Sequence, residues 1–328
     1  MKLGKVAIVV ADQSLSWISC QSISANLRKA YGLAAGDCVT YFGFPEENSR
    51  VGTLELARQI FEFRPTTIVF LDHLPHPAPL IHAIDVLWND LPRPKVVFHV
   101  YGDFTIYPFQ WMSLDFLLRR YQVAFVTASP RQTVLVRNFL KPGSASVFTA
   151  AFPVDSKQFY PSAELRNRTR KLFKVGRRAS VIVYTGRLSV QKNSVQMVRL
   201  IGDMMQRMSP NAYFFVAGAV DELGVPLFQK KPCAAAYANL LQASLQALTP
   251  YARRRTQFVG NLAADDLAEL YNAADVFISP SLHHDEDFGM SPAEALMCGV
   301  PAVLTDWGGY GQFIQDEADG YNIPVRLG

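Results

Sequence analysis

The stretch Ser279-Pro280-Ser281-Leu282-His283-His284-Asp285-Glu286-Asp287-Phe288-Gly289-Met290-Ser291-Pro292-Ala293-Glu294-Ala295-Leu296-Met297-Cys298-Gly299 passes from an apolar run through a polar loop into a helix. Residues 276–279 before it and 301–304 after it are short apolar runs of the kind that form buried strands. The order is therefore strand, loop, glycine, helix, strand. Ser291-Pro292-Ala293-Glu294 has the form of a capping box, with Pro292 at the first helical position. Gly299 followed by Pro301 marks the stop. One reading of Glu294 is thus a local cap. A second uses the same geometry. A helix start offers unpaired N–H groups and the positive dipole end to an anion, and Gly289 lets the backbone approach it. Glu286 and Glu294 flank that start and can accept hydrogen bonds from hydroxyl groups. Both readings stand at this point.

Working outward, short apolar runs alternate with helix-length segments along the whole chain. Strands are expected at 6–10, 39–42, 67–71, 96–100, 124–127 and 147–149, with helices at 19–31, 54–63, 80–89, 110–121 and 130–140. Further on, strands are expected at 181–184, 213–216, 257–259, 276–279, 302–304 and 321–324, with helices at 194–208, 234–248, 265–273, 292–298 and 309–315. Alternation of this kind means parallel strands joined by crossover helices, and a ligand crevice at the carboxyl ends of the strands. The fold class is α/β, with two doubly wound Rossmann-like domains. A composition shift after Phe152-Pro153-Val154-Asp155 leads into a run with Arg166, Arg168, Arg170, Lys171, Lys174, Arg177 and Arg178. The expected division is residues 1–155, a basic solvated linker at 156–178, and residues 179–328.

At 328 residues, about half of them hydrophobic, the chain can bury two cores. A net charge of +4 is too mild to argue for nucleic acid, yet it suits anionic substrates or an anionic membrane face. Cys20, Cys38, Cys233 and Cys298 form no Cys-x-x-Cys pair, which argues against a zinc site or disulfide framework and fits a reducing, cytoplasmic setting. The apolar run after Lys5 is too short for a signal sequence or a membrane span, so it is expected as the first strand. Residues 109–121 are apolar on more than one face and end in arginines. Burial against the sheet is the main expectation for them, with weak peripheral contact on the inner membrane face as the alternative. Adjacent histidines His283 and His284 do not share one ion easily, and no third ligand has suitable spacing, so no metal site is expected.

Two further segments carry chemistry. Thr185-Gly186-Arg187-Leu188-Ser189-Val190-Gln191-Lys192-Asn193 follows a strand and precedes a helix. Arg187 and Lys192 there suit a pyrophosphate, one as a fork and one as a point charge. Val96-Val97-Phe98-His99-Val100-Tyr101-Gly102-Asp103 ends a strand of the first domain, which places His99 and Asp103 at a crevice.

Taken together, these motifs resemble the retaining glycosyltransferases of family 4, which have the GT-B fold. The likeness rests on His99, on Gly186-Arg187-Leu188-Ser189-x-x-Lys192-Asn193, on Asp266-Leu267-x-x-Leu270-Tyr271 and on Glu286-x7-Glu294, closing with Trp307-Gly308-Gly309 and Gly320-Tyr321. It covers nearly all of the second domain; the first resembles the family mainly in strand order and at His99. The resemblance implies a nucleotide-diphosphate-sugar donor and a glycan, lipid or small-molecule acceptor, with no metal and no cofactor. Arg187 and Lys192 would grip the diphosphate and stabilise the leaving group. Gly186 and the backbone at Phe288, Gly289 and Met290 would line the donor. Glu294 would take ribose hydroxyls, Glu286 the donor sugar hydroxyls, and His99 the sugar near its 6-hydroxyl. No protein carboxylate need act as a nucleophile, in contrast to retaining glycosidases.

The sequence departs from the family in three places. The loop 11–17 lacks the usual glycines. The spacing His99-Val100-Tyr101-Gly102-Asp103 is one residue longer than His-Gly-x-Asp. The helices that normally cross back to the first domain are expected to be absent, since the sequence given stops at Gly328. A runner-up reading is therefore a transferase-like protein that binds a nucleotide or glycan with little or no turnover. A dinucleotide oxidoreductase is excluded because no Gly-x-Gly-x-x-Gly follows a strand. Among single substitutions, Glu286→Ala is expected to abolish transfer and leave folding nearly intact.

Overall fold

The computed structural model describes residues 4–11, 18–44, 49–72, 76–89, 91–101, 108–140, 145–207, 211–220, 234–283 and 286–326. The chain divides into two units, Met1–Pro153 and Val154–Gly328.

The first unit holds β1 (Val6–Ala11), β2 (Val39–Phe44), β3 (Thr67–Phe70), β4 (Lys95–Val100), β5 (Val123–Thr127) and β6 (Ser146–Thr149). They form one parallel sheet in the order β2-β1-β3-β4-β5-β6. The intervening helices are α1 (Ile18–Ala35), α2 (Arg50–Phe63), α3 (Ala78–Leu87), α4 (Pro108–Leu118) and α5 (Pro130–Phe139). Val6 to Val10 of β1 are buried at consecutive positions, so this strand is covered on both faces, as a parallel sheet requires. Register also aligns the core. Phe70 pairs with Phe98 and Phe98 with Phe125, so the three rings share a face and stack at 5.1 and 5.2 Å. Trp111 of α4 meets Phe98 and Phe125 edge-on at 5.5 and 5.6 Å. That contact, with buried Leu114 and Leu118, seats α4 on the sheet while Phe109 stays exposed.

The second unit holds β7 (Ser180–Thr185), β8 (Ala212–Ala217), β9 (Thr256–Gly260), β10 (Val276–Ser279), β11 (Ala302–Thr305) and β12 (Gly320–Ile323), ordered β12-β11-β10-β7-β8-β9. Its helices are α6 (Ala163–Leu172), α7 (Ser194–Arg207), α8 (Ala234–Ala247), α9 (Pro250–Arg255), α10 (Ala264–Ala273) and α11 (Met290–Met297). The chain builds outward from β7 through β9, then returns to the other side of β7 with β10. The order reverses between β7 and β10, and the loops leaving those two strands diverge there.

Three local expectations are corrected. Residues 309–315 do not make an α-helix; only a 3-10 turn at Tyr310–Gln312 forms, because Gly309 is pressed against the backbone of residues 287 and 288. The capping box at 291–294 is not used. Gly289, at φ 99°, caps α11 with no side-chain hydrogen bond, so the helix begins at Met290 and Ser291 is already inside it. The short helix α9 was not expected; Thr249 starts it by accepting from the Ala252 N–H at 3.3 Å, with Pro250 next.

The basic segment 156–178 is held to the second unit through Arg166 and Arg170, while Arg168, Lys171, Lys174, Arg177 and Arg178 stay exposed. Ser162 caps α6, accepting from the Leu165 N–H at 3.2 Å. Arg166 donates to the carbonyls of Asn272 and Ala274 at 3.2 and 2.6 Å and pairs with Asp275. Arg170, buried, donates to the Ala273 carbonyl at 2.9 Å, the Ala179 carbonyl at 3.1 Å and Asp275 at 2.6 Å. These arginines satisfy the orphan carbonyls at the end of α10 and hold the aspartate that opens β10. Arg170→Ala should lower the unfolding free energy by about 2 kcal/mol, somewhat less than for a fully buried pair, because Asp275 is 38% exposed. Urea titration checks this, with exposed Lys171→Ala as the variant expected to change little.

Candidate functional site

The site is built on the two loops that leave β7 and β10. After β7, Gly186 turns at φ 145°, its N–H donating to the Ala217 carbonyl at 2.9 Å, and the Leu188 N–H donates to the Ala219 carbonyl at 2.8 Å. Ser189 is buried. Its hydroxyl accepts from the Lys192 N–H at 3.3 Å, and its carbonyl accepts from the Tyr237 hydroxyl at 2.8 Å. Asn193, at φ 54°, then sends the chain into α7. The loop is thus fixed before either cation is considered. Arg187 is half-buried, with Nη2 3.3 Å from Gln191 Oε1. The two loops are joined where the Leu282 N–H donates to the Gln191 carbonyl at 3.2 Å.

Lys192 Nζ pairs with Glu286 Oε2, and the Ser281 hydroxyl donates to the same oxygen at 2.6 Å. Both charged side chains are largely withdrawn from water, at 16% and 8% exposed. Burial by itself pushes the Glu286 carboxyl up. The Lys192 ammonium, together with hydrogen bonds from Lys192 and Ser281, outweighs it and holds the group below the ordinary carboxylate range. Glu286 is therefore an anion with a fixed orientation.

A second layer braces this loop from the far side of β11. The Gly309 N–H donates to the Glu286 carbonyl at 2.5 Å, the Thr305 hydroxyl to the Ser281 carbonyl at 2.6 Å, and the Trp307 indole N–H to the His283 carbonyl at 2.7 Å. The Tyr310 hydroxyl lies 2.9 Å from Ser279 Oγ, and its ring fills the space a side chain at Gly289 would need.

Glu294, on α11, is buried and separate from that pair. It accepts from the Tyr271 hydroxyl at 3.1 Å, and Tyr271 in turn lies 2.6 Å from the Thr185 hydroxyl. Burial raises its pKa to about 7, with the Tyr271 bond only partly offsetting it. The two glutamates are thus driven to opposite sides of the ordinary value by their surroundings. The signs follow. Glu294 is protonated more readily folded than unfolded, so its contribution is full below about pH 4.5 and is lost as pH rises to about 7. The loss amounts to about 3 kcal/mol. Glu294→Gln should remove that slope from the pH dependence of urea unfolding between pH 4.5 and 7.

Met290 and Ser291 lie at the open start of α11, whose first internal bond runs from the Ala293 N–H to the Gly289 carbonyl. The side chains of Phe288 and Met290 are buried, Phe288 edge-on to Phe313 at 5.0 Å, so these residues offer their backbone. In the first unit, His99 lies at the end of β4, buried, with Nε2 2.8 Å from the Tyr31 hydroxyl. Burial lowers its pKa to about 4, so the ring is neutral at neutral pH. Asp103, the loop 12–17, His284 and Asp285 lie outside the described residues. Among the described residues no group of three or more His, Cys, Asp or Glu side chains could hold a metal ion.

Lys192 and Glu286 are therefore brought into contact from two loops, Arg187 shares the Lys192 loop, and Glu294 has its own buried partners. Ser281, Tyr271 and Thr185 were not singled out from the sequence as site residues. Their signal was a hydroxyl at or beside the end of an apolar run, which strand and helix patterning treats as packing.

Residues 167–326 match the family described as glycosyl transferases group 1. An uncharacterised glycosyltransferase of Methanocaldococcus jannaschii is 29% identical over 140 residues, 43% of this chain and 30% of that protein. A D-inositol 3-phosphate glycosyltransferase of Salinispora tropica is 27% identical over 175 residues, 51% of this chain and 33% of that protein. The matched part thus spans about a third of the length of these curated relatives. Among solved structures, Anabaena Alr3699/HepE in complex with UDP-glucose superposes with a TM-score of 0.64 at 16% identity, over 97% of this chain and 85% of that one. The β7–β10 switch point, the Arg187–Lys192 loop and the braced Glu286 all fall within the matched region. Residues 167–326 thus match the glycosyl transferases group 1 family, within a chain of the GT-B fold class.

Proposed function

We propose that the chain transfers a sugar, with retention of configuration and without a bound metal, from a nucleoside diphosphate sugar to a glycan, lipid or small-molecule acceptor. The observation that carries this reading is the buried Lys192–Glu286 pair, fixed by Ser281 between the two clamped loops that leave β7 and β10. In this reading a donor diphosphate takes over the Lys192 charge, with Arg187 as its second cation. The open N–H groups at the start of α11 add dipole stabilisation. Glu286, released from part of its pairing and still oriented by Ser281, accepts from the donor sugar hydroxyls. Glu294 accepts from the ribose hydroxyls, and His99 contacts the sugar.

The bond between the anomeric carbon and the diphosphate oxygen breaks, and its electron pair goes to that oxygen. Arg187 and Lys192 stabilise the developing charge, and because their loop is already ordered, little reorganisation is needed. The acceptor hydroxyl attacks the same face of the sugar and passes its proton to the departing phosphate oxygen. The products are the glycoside and the nucleoside diphosphate. The complex of HepE with UDP-glucose supports a donor of this class.

A thermal-shift series with UDP, GDP, ADP and CDP, followed by assay of the matching sugar nucleotides, tests the reading. Stabilisation by none of the four would sink it. Stabilisation with no turnover would favour the runner-up, a binding protein on the same scaffold. For the nucleotide that binds, Arg187→Ala and Lys192→Ala should each weaken affinity about tenfold or more, the worth of a charge-assisted contact to phosphate. Calorimetry showing unchanged affinity would remove the phosphate role.

A further inference from the structure

A second charged concavity lies in the first unit, at the amino ends of its strands. The segments entering β3, β4 and β5 wall a cavity of about 570 Å³. They are tied together where the Lys95 N–H donates to the Thr66 carbonyl and the Val96 N–H to the Gln122 carbonyl, each at 2.9 Å. Three prolines stiffen the wall, and Arg93, Lys95, Arg119 and Arg120 give it charge.

The arginines are anchored from behind. Buried Asp85 of α3 accepts from Arg93 Nε at 3.1 Å, Arg120 Nη1 at 2.7 Å and the Tyr121 hydroxyl at 3.2 Å. Arg119 Nη2 is held by Asp115 at 2.8 Å. Each guanidinium carries five N–H donors, so an anchor of this kind orients the fork and leaves Arg93 and Arg119 with donors for a further anion. Lys95 is exposed and makes no ion pair among the described residues. Among the described residues the four cations of the wall stand against two carboxylates, Asp85 and Asp115. Little side-chain entropy remains to be lost on binding at Arg93, which is also held over the Tyr121 ring at 5.7 Å.

We propose that this amino-end cavity binds a dianionic phosphate monoester group, with Arg93, Lys95 and Arg119 as its ligands. The volume fits a small phosphorylated molecule. The same group is found on a soluble ester and on a phosphatidate headgroup, and the experiment separates the two. The full chain is titrated calorimetrically with glycerol 3-phosphate, and its flotation is measured on phosphatidate–phosphatidylcholine vesicles against pure phosphatidylcholine.

At least one probe should bind at one site per chain. Lys95→Ala should weaken it tenfold or more, and the Lys95→Ala/Arg119→Ala pair should abolish it. Both side chains are exposed, so the unfolding temperature should hold. Lys192→Ala should leave this binding intact, which keeps the result independent of the donor site. Flotation that depends on Lys95 assigns the group to a lipid. Glycerol 3-phosphate binding without flotation assigns it to a soluble ester. Binding of neither probe, binding that survives the double substitution, or binding lost in Lys192→Ala would overturn the proposal.

Discussion

Glu286→Ala is expected to reduce transfer about a hundred- to a thousandfold, the range seen when one preorganised group at a reacting centre is removed. In the proposed reading this side chain meets the donor sugar hydroxyls, and its orientation is set by Ser281 at 2.6 Å. The alanine variant has a second consequence that the sequence reading did not anticipate. It leaves Lys192 largely buried without its carboxylate, which should also cost about 1–3 kcal/mol of stability. Stability is therefore expected to fall as well, and alanine alone would confuse two effects. Glu286→Gln narrows the difference. Glutamine keeps the volume and a neutral oxygen that can accept from Lys192 or Ser281, so its unfolding midpoint should lie between those of the alanine variant and the parent. Affinity for a nucleoside diphosphate, which has no sugar to read, should stay within a few-fold, while the turnover number falls about a hundredfold. Initial rates and calorimetry on the same preparation check the split. A glutamine variant that turns over within tenfold of the parent would remove Glu286 from the reaction.

Gly309→Ala is the second large effect, at a residue that is itself no proposed substrate contact. The backbone there has φ −79°, a value any residue adopts, so the demand for glycine is one of space. A β-carbon at 309 would sit 2.7 Å from the Phe288 nitrogen and closer still to the Asp287 carbonyl. Those are backbone atoms of the loop that carries Glu286, and they cannot swing aside as a long side chain can. Gly308 is packed in the same way, with a β-carbon 2.9 Å from that of Glu286, and adds a positive φ of 62°. The alanine variant should displace residues 286–288, lose donor affinity about a hundredfold and lower the unfolding free energy by about 2 kcal/mol, the usual cost of overpacking. A Gly311→Ala variant is the comparison, because its nearest neighbour is a side-chain oxygen of Asp306 that can turn away. Equal donor affinity for the two variants would refute the bracing role of the Gly308-Gly309 pair.

The parallel, doubly wound architecture could be anticipated because short apolar runs alternate with helix-length segments in each half, which leaves little choice of architecture. Arg187, Lys192, Glu286 and Glu294 could be singled out because each follows a strand or opens a helix. Partnership was the part that sequence spacing conceals. Lys192 and Glu286 are 94 residues apart, and Arg170 and Asp275 are 105 apart. No local pattern shows that one arginine of a basic run holds the turn into β10. The capping-box reading failed for a related reason. Ser291 and Glu294 have the right spacing, but the positive φ of Gly289 starts the helix earlier, and Tyr271, 23 residues away, engages the Glu294 carboxyl instead.

The reversal of strand order between β7 and β10 has a kinetic side. The cation loop is complete once the chain has reached Asn193, yet its carboxylate partner and the glycines that brace it come only after β8, β9 and β10 have been made. Closing that long loop carries an entropic cost that the local β7–β8–β9 pairings do not share. The donor cradle should therefore form late in refolding, after most of the helical signal has returned. Stopped-flow refolding monitored by circular dichroism and by nucleotide binding would show the two as separate phases, with the binding phase slowed further in Gly309→Ala.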